Sequence, residues 1–174
     1  MPSHRNIILI GFMGVGKGSV AREVVKISNY ISVDTDDLIE SMENRTVKKI
    51  FEQSGEEYFR KLEKKVSVWL ENSVNNTLIS TGGGFYKQEN LKEIGIVVFL
   101  NSPFDKILKR IKTHPNASKK LKKRPLLNDL SRAKELYNER LPEYMAVADI
   151  TIDVTNKSAL ECAKELLKKV KEYA

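Results

Sequence analysis

The chain has 174 residues, is 41% hydrophobic and carries a formal net charge of +7, enough apolar material for one globular domain with a full core. No apolar run approaches the ~20 residues of a membrane span, and the first such run leads into a glycine loop rather than a leader cleavage site. Cys162 is the one cysteine, which excludes an internal disulfide. These features predict a cytoplasmic protein, its thiol buried in the amphipathic segment 158–171.

In chain order, the apolar run Asn6-Ile7-Ile8-Leu9-Ile10 predicts a first strand, and a glycine loop and a helix over 19–27 follow. Short β-branched runs predict further strands at 31–33, 78–80, 96–100 and 150–154. Between them, Thr46 is placed to cap a helix that runs into Gly55. Phe59, Leu62, Val66, Trp69 and Leu70 then recur at helical spacing. Ser102-Pro103 has the form of a helix start, a cap residue and then proline in the first turn, with Ile107, Leu108 and Ile111 behind it. The polar stretch 114–123 is expected to be a mobile loop. Strands alternating with helices require crossover connections, hence an α/β domain with a largely parallel sheet covered on both faces. No internal repeat or linker divides the chain.

The first loop, Gly11-Phe12-Met13-Gly14-Val15-Gly16-Lys17-Gly18-Ser19, is almost a Walker A phosphate-binding loop. Its glycines let backbone N–H groups point inward at phosphate oxygens, aided by the positive end of the following helix, and Lys17 reaches the terminal phosphates. Gly18 departs from the pattern, because a Ser or Thr hydroxyl for Mg²⁺ normally stands there.

Seven of the nine glycines fall in this loop and in Gly82-Gly83-Gly84, which also follows a strand. Three successive glycines are costly in backbone entropy, so close approach of a ligand to the backbone is preferred to a bare tight turn. Asp34-Thr35-Asp36-Asp37 follows the second strand and brings carboxylates to the same sheet edge. One could hold Mg²⁺, another could accept a proton from a substrate hydroxyl, and Asp37 suits a cap or first helical turn. Arg60 and Glu63 are spaced for a surface ion pair of small energetic value, and Arg140 by itself could equally be a surface residue.

Nine lysines and arginines and no acidic residue lie between Lys106 and Arg124, so the positive charge belongs to one segment. Such a patch could bind RNA, remain solvated, or close over a polyanionic small molecule; the lack of aromatic residues within it weakens a base-stacking surface. Arg124, held by Pro125 at the end of this segment, suits a lid over developing phosphoryl charge. Arg110 could stack on a nucleotide base. Neither His4 nor His114 has a metal-ligand or triad spacing.

Taken together, the first glycine loop, Asp34-Thr35-Asp36, the segment Gly55-Glu56-Glu57-Tyr58-Phe59-Arg60-Lys61-Leu62-Glu63, Gly82-Gly83-Gly84, Arg124-Pro125-Leu126-Leu127 and Arg140-Leu141-Pro142-Glu143-Tyr144 resemble the shikimate kinase family. The match runs in order along nearly the whole chain. The resemblance implies a three-layer P-loop kinase fold with a five-stranded parallel sheet in the order 2-3-1-4-5, a substrate-binding subdomain at about 34–63 and a mobile lid at about 112–124. It also implies ATP-dependent phosphorylation of the 3-hydroxyl of shikimate, in the pathway to aromatic amino acids, with ATP, shikimate and Mg²⁺ bound. Nothing in the sequence demands more than a monomer, and neither nucleic acid nor membrane is expected as a partner.

By position, Gly14, Val15, Gly16, Lys17, Gly18, Ser19, Arg110 and Arg124 would bind ATP. Arg60 and Arg140 would clamp the carboxylate, Gly82, Gly83 and Gly84 would line its site, and Asp36 would bind hydroxyls and accept the proton. Lys17 and Arg124 would stabilise the transferring group. Mg²⁺ would be ordered with help from Asp34, through Ser19 or through a water in place of the missing hydroxyl. A gluconate or nucleoside monophosphate kinase, or a non-catalytic ATP- or RNA-binding protein, are the alternative readings.

Overall fold

The computed structural model describes residues 5–174; His4 lies outside them. Five strands, β1 (Asn6–Ile10), β2 (Ile31–Asp34), β3 (Thr77–Ser80), β4 (Gly95–Asn101) and β5 (Ile150–Asp153), form one all-parallel sheet in the order β2-β3-β1-β4-β5. Every predicted strand is present, within a residue or two of its expected ends. Ile7 lies between Leu78 on one side and Ile96 on the other, which fixes the register of the three central strands. β1 is buried at every position, as a parallel strand with both faces covered must be. The helices are α1 (Lys17–Ile27), α2 (Thr35–Glu43), α3 (Val47–Ser73), α4 (Leu91–Ile94), α5 (Phe104–Thr113), α6 (Ala117–Lys122), α7 (Leu130–Val147) and α8 (Ala159–Tyr173). None is long and apolar enough to cross a membrane.

At the amino end of the sheet, the buried side chain of Asn6 makes three long-range bonds. Its Nδ2 donates to the carbonyls of Val74 (2.7 Å) and Ile94 (3.1 Å), and its Oδ1 accepts from Thr77 N (3.0 Å). One amide therefore ties the start of β1 to the entries of β3 and β4. Long-range partners of this kind satisfy a buried polar group that would otherwise be costly.

Thr46 accepts from Lys49 N at the start of α3, and the helix kinks at Gly55, whose φ of 82° is in the range that favours glycine. Three local expectations need correction. Ser102 does not cap α5: the helix starts from Pro103, and the Ser102 hydroxyl instead meets Thr155 Oγ1 at 3.3 Å. The polar stretch 114–123 is not a bare loop, since α6 lies within it. Trp69 is 45% exposed and leaves the apolar stripe of α3, whereas Glu63 and Ser67 are buried along it.

Candidate active site

The carboxyl ends of β1, β2 and β3 open into two glycine loops and the start of α2. In the first loop, Val15 N donates back to Phe12 O (3.2 Å), and Gly14 and Gly16 have φ of 81° and 108°. Gly16 precedes α1 and brings no side-chain cap, so the first N–H groups of the helix are left for an anion. Lys17 is folded back onto its own loop, with Nζ donating to Gly11 O (2.7 Å) and Phe12 O (3.2 Å). Burial lowers its pKa to about 8, against the opposing pull of Asp34 and Asp36.

Asp34 closes β2 and caps α2, its Oδ1 accepting from the N–H groups of Asp36 (2.9 Å) and Asp37 (3.2 Å). Asp37 is therefore a first-turn residue, and part of Asp34 is committed to the fold. Thr35 Oγ1 accepts from Gly82 N (3.1 Å), and Thr81 Oγ1 donates to Leu9 O (2.7 Å). These two bonds hold the second glycine loop to the start of α2 and to β1.

Each glycine of the second loop lies against one charged side chain. A Cβ on Gly82 would stand 2.6 Å from Asp36 Oδ1, one on Gly83 2.9 Å from Arg140 Nη1, and one on Gly84 2.5 Å from Arg60 Nη1. The run Gly82-Gly83-Gly84 is thus the floor on which α2, α7 and α3 set down Asp36, Arg140 and Arg60. None of the three glycines has a positive φ; the space above them is what requires glycine.

The charges here are unusual. Burial, with Asp34 and Glu63 adding repulsion, pushes the Asp36 carboxyl up to about 7. Arg60 is not in a surface pair, because its partner Glu63 (2.7 Å) is 1% exposed; Glu56 holds the guanidinium from the other side at 3.0 Å. Burial raises the pKa of Glu63 despite that arginine. Asp36 Oδ1, Glu63 Oε1 and Arg140 Nε are buried with no hydrogen-bond partner. Unsatisfied buried groups call for an explanation; Asp36 and Arg140 stand against this loop and Glu63 holds the third charge on it, Arg60, so together they mark a place for a polar ligand with both donors and acceptors.

Tyr144, one turn beyond Arg140 on α7, donates to Gly83 O at 2.7 Å and packs on Phe99 and Tyr86. Burial pushes its hydroxyl up to about 12, so it remains a donor. Tyr86 in turn bonds to Glu143.

On the other side of the first loop, Arg110 Nη1 donates to Val15 O (3.0 Å), and its guanidinium lies 2.4 Å from where a Gly16 Cβ would be. Arg110 forms one wall of a cleft of about 400 Å³ shared with Val15, Ser102, Thr155, Asn156 and Lys157. Thr155, Asn156 and Lys157 carry no motif; only their place after β5, beside the glycine loop, brings them to this cleft. Arg124, half-buried, donates from Nη1 to Lys120 O (3.1 Å) and contributes to the depressed pKa of Lys17. Gly18 and Ser19 sit in the first turn of α1, with Ser19 Oγ accepting from Arg22 Nη2 at 3.4 Å.

The arrangement can hold a polyphosphate on the first loop and a hydroxylated acid on the second, with one near-neutral carboxyl between them. The comparisons agree. The family model described as shikimate kinase matches residues 13–171. Among curated relatives, the shikimate kinase of Helicobacter hepaticus is 38% identical over 93% of each chain. That of Caldanaerobacter subterraneus subsp. tengcongensis is 39% identical over 94% of this chain and 95% of its own. The structure of shikimate kinase from Acinetobacter baumannii in complex with shikimate superposes with a TM-score of 0.84 at 34% identity, covering 97% of this chain and 93% of that one. The chain belongs to the shikimate kinase family.

Proposed function

We propose that this chain transfers the γ-phosphoryl group of ATP to the 3-hydroxyl of shikimate, giving shikimate 3-phosphate and ADP, as a cytoplasmic monomer. The observation that carries this reading is the apposition of Asp36, Arg140 and Arg60 to Gly82, Gly83 and Gly84. Two guanidiniums suit one carboxylate, and a carboxyl ionising at about 7 suits proton acceptance near neutral pH.

In the proposed reaction, Arg60 and Arg140 hold the acid so that its hydroxyl lies against Asp36. The hydroxyl oxygen bonds to the γ-phosphorus as the bond to the β,γ-bridging oxygen breaks, and the proton passes to Asp36. Lys17 exchanges its loop carbonyls for phosphate oxygens. Arg124, carried on a lid of about residues 112–124, neutralises charge on the transferring group. The segment 34–63 serves as the acid-binding subdomain, and the cleft beside Arg110 takes the adenine.

Both capping bonds of Asp34 fall on Oδ1, leaving Oδ2. No three His, Cys, Asp or Glu side chains form a metal cage among the described residues. One carboxylate oxygen with phosphate oxygens and waters is a donor set that Mg²⁺ accepts, and Asp34 and Ser19 would stand nearest it. Bound with ATP, the ion would offset charge on the β- and γ-phosphates.

The test is ADP release from ATP and Mg²⁺ with shikimate, gluconate or a nucleoside monophosphate as acceptor, the phosphorylated position being read by NMR. Turnover of shikimate at the 3-position is expected; none would overturn the proposal.

A further inference from the structure

Position 18 is the second residue of α1, and this deepening of the nucleotide-site reading rests on that reading. A Cβ built on Gly18 would meet one neighbour, Arg22 Nη1 at 3.5 Å. Residues i and i+4 of a helix lie one above the other, and side chains lean toward the amino end. The Arg22 guanidinium thus lies over Gly18, toward the amino end of the first turn. Its Nη2 also reaches Ser19 Oγ at 3.4 Å.

Arg22 is exposed and has no acidic partner among the ion pairs of the described residues. The pKa values of His114 and Lys120 are lowered chiefly by desolvation, and repulsion from Arg22 adds to both, so its charge is felt in the basic segment. The guanidinium therefore lies beside the first turn of α1, whose leading N–H groups have no side-chain cap.

We propose that Arg22 contacts the nucleotide's phosphates from the face that Gly18 leaves open, so that nucleotide binding by this chain depends less on Mg²⁺ than a hydroxyl at 18 would make it. The ion's charge is then partly replaced by a guanidinium of the chain itself, which binds phosphate as a multiple donor.

The test is calorimetric binding of ADP, with Mg²⁺ and with EDTA, by the unaltered chain and by Arg22→Gln, Arg22→Lys and Gly18→Ser. Arg22 makes one long side-chain bond, so its variants should fold, and circular dichroism checks that. Loss of one charge-assisted contact predicts that Arg22→Gln weakens metal-free ADP binding about tenfold. Arg22→Lys should keep most of the affinity, and Gly18→Ser should widen the gap between the two conditions. Equal metal-free affinity for Arg22→Gln and the unaltered chain overturns the inference alone. Failure of the unaltered chain to bind ADP under either condition overturns the proposed function with it.

Discussion

Replacing Gly84 by alanine adds one carbon where Arg60 now lies. The backbone tolerates it, because φ −102° and ψ −2° are open to L-residues. The new Cβ would stand 2.5 Å from Nη1, 2.9 Å from Nη2 and 3.0 Å from Cζ of Arg60, so the guanidinium must recede by about 1 Å to reach ordinary contact. It cannot recede freely, being held by Glu63 at 2.7 Å and Glu56 at 3.0 Å. A displacement of that size weakens a charge-assisted pair to carboxylate by about 2 kcal/mol, a rise in the KM for shikimate of roughly 30-fold. The KM for ATP should stay within about twofold, because the nucleotide loop is not touched. Thermal stability should fall by about 3 °C, the shift for the roughly 1 kcal/mol that straining the pair between Arg60 and buried Glu63 costs the fold. Steady-state kinetics with both substrates varied, together with a melting curve, measure all three. An unchanged KM for shikimate, or a change shared equally with ATP, would refute the proposed seat of Arg60. Gly82→Ala provides the contrast: its Cβ would press on Asp36 at 2.6 Å, so the loss should appear in kcat.

Arg124→Ala should lower kcat by about 10³-fold, the order expected for a cation placed on transferring phosphoryl charge. Its melting temperature should hold, because the side chain's bond is a single one to Lys120 O; an unaltered kcat would remove Arg124 from the mechanism. Asp36 ionises at about 7, so kcat/KM should rise with pH through about 7 and then level; a flat profile would discount it as proton acceptor. The same shift has a thermodynamic sign. The folded chain binds this proton more tightly than the unfolded one, so between the ordinary carboxyl range and about pH 7 the contribution of Asp36 to stability falls as pH rises. Asp36→Asn should therefore melt higher than the unaltered chain above pH 7 while losing turnover; a lower melting temperature there would contradict the burial argument. Lys17, at about 8 in the free protein, should regain its proton when it meets a triphosphate. Titration of ATP at about pH 8 in buffers of different ionisation enthalpy should show uptake of about half a proton; no buffer dependence would count against it.

The parts of this molecule that the sequence made plain are those whose cause is local or repeated. Ile7 to Ile10 read as a strand because a strand covered on both faces carries continuous apolar residues, and the structure buries all of them. Gly55 read as a helix end because a left-handed residue stops a helix, and it does kink α3. What stayed hidden depends on distant neighbours. Asp37 suits a cap or first turn on composition, with Asp34 left for chemistry; α2 starts at Thr35, so Asp34 is the cap and Asp37 a first-turn residue. Glu63 looked like half of a surface pair, yet it is buried on the face of α3 that carries Phe59, Leu62 and Val66. Ser102 had the right residue type to cap α5, yet its hydroxyl found Thr155, which lies 53 positions later. The Thr155–Lys157 wall of the cleft has no sequence signature because its role comes from β5 lying beside β4.

The bonds of the Asn6 side chain also bear on how the chain comes to be folded. β1 is the first strand in sequence, but it is inserted between β3 and β4, and the Asn6 amide closes contacts 68, 71 and 88 positions away. During synthesis the amino-terminal apolar run must wait, unpaired, until residues up to about 101 have emerged, and sheets closed by such distant pairings form slowly. The phosphate-binding loop, although it precedes β3 and β4 in sequence, is thus among the later parts to take its final shape. Until then Ile7-Ile8-Leu9-Ile10 is a strand with two open edges, the kind of segment that associates with other chains or engages a chaperone.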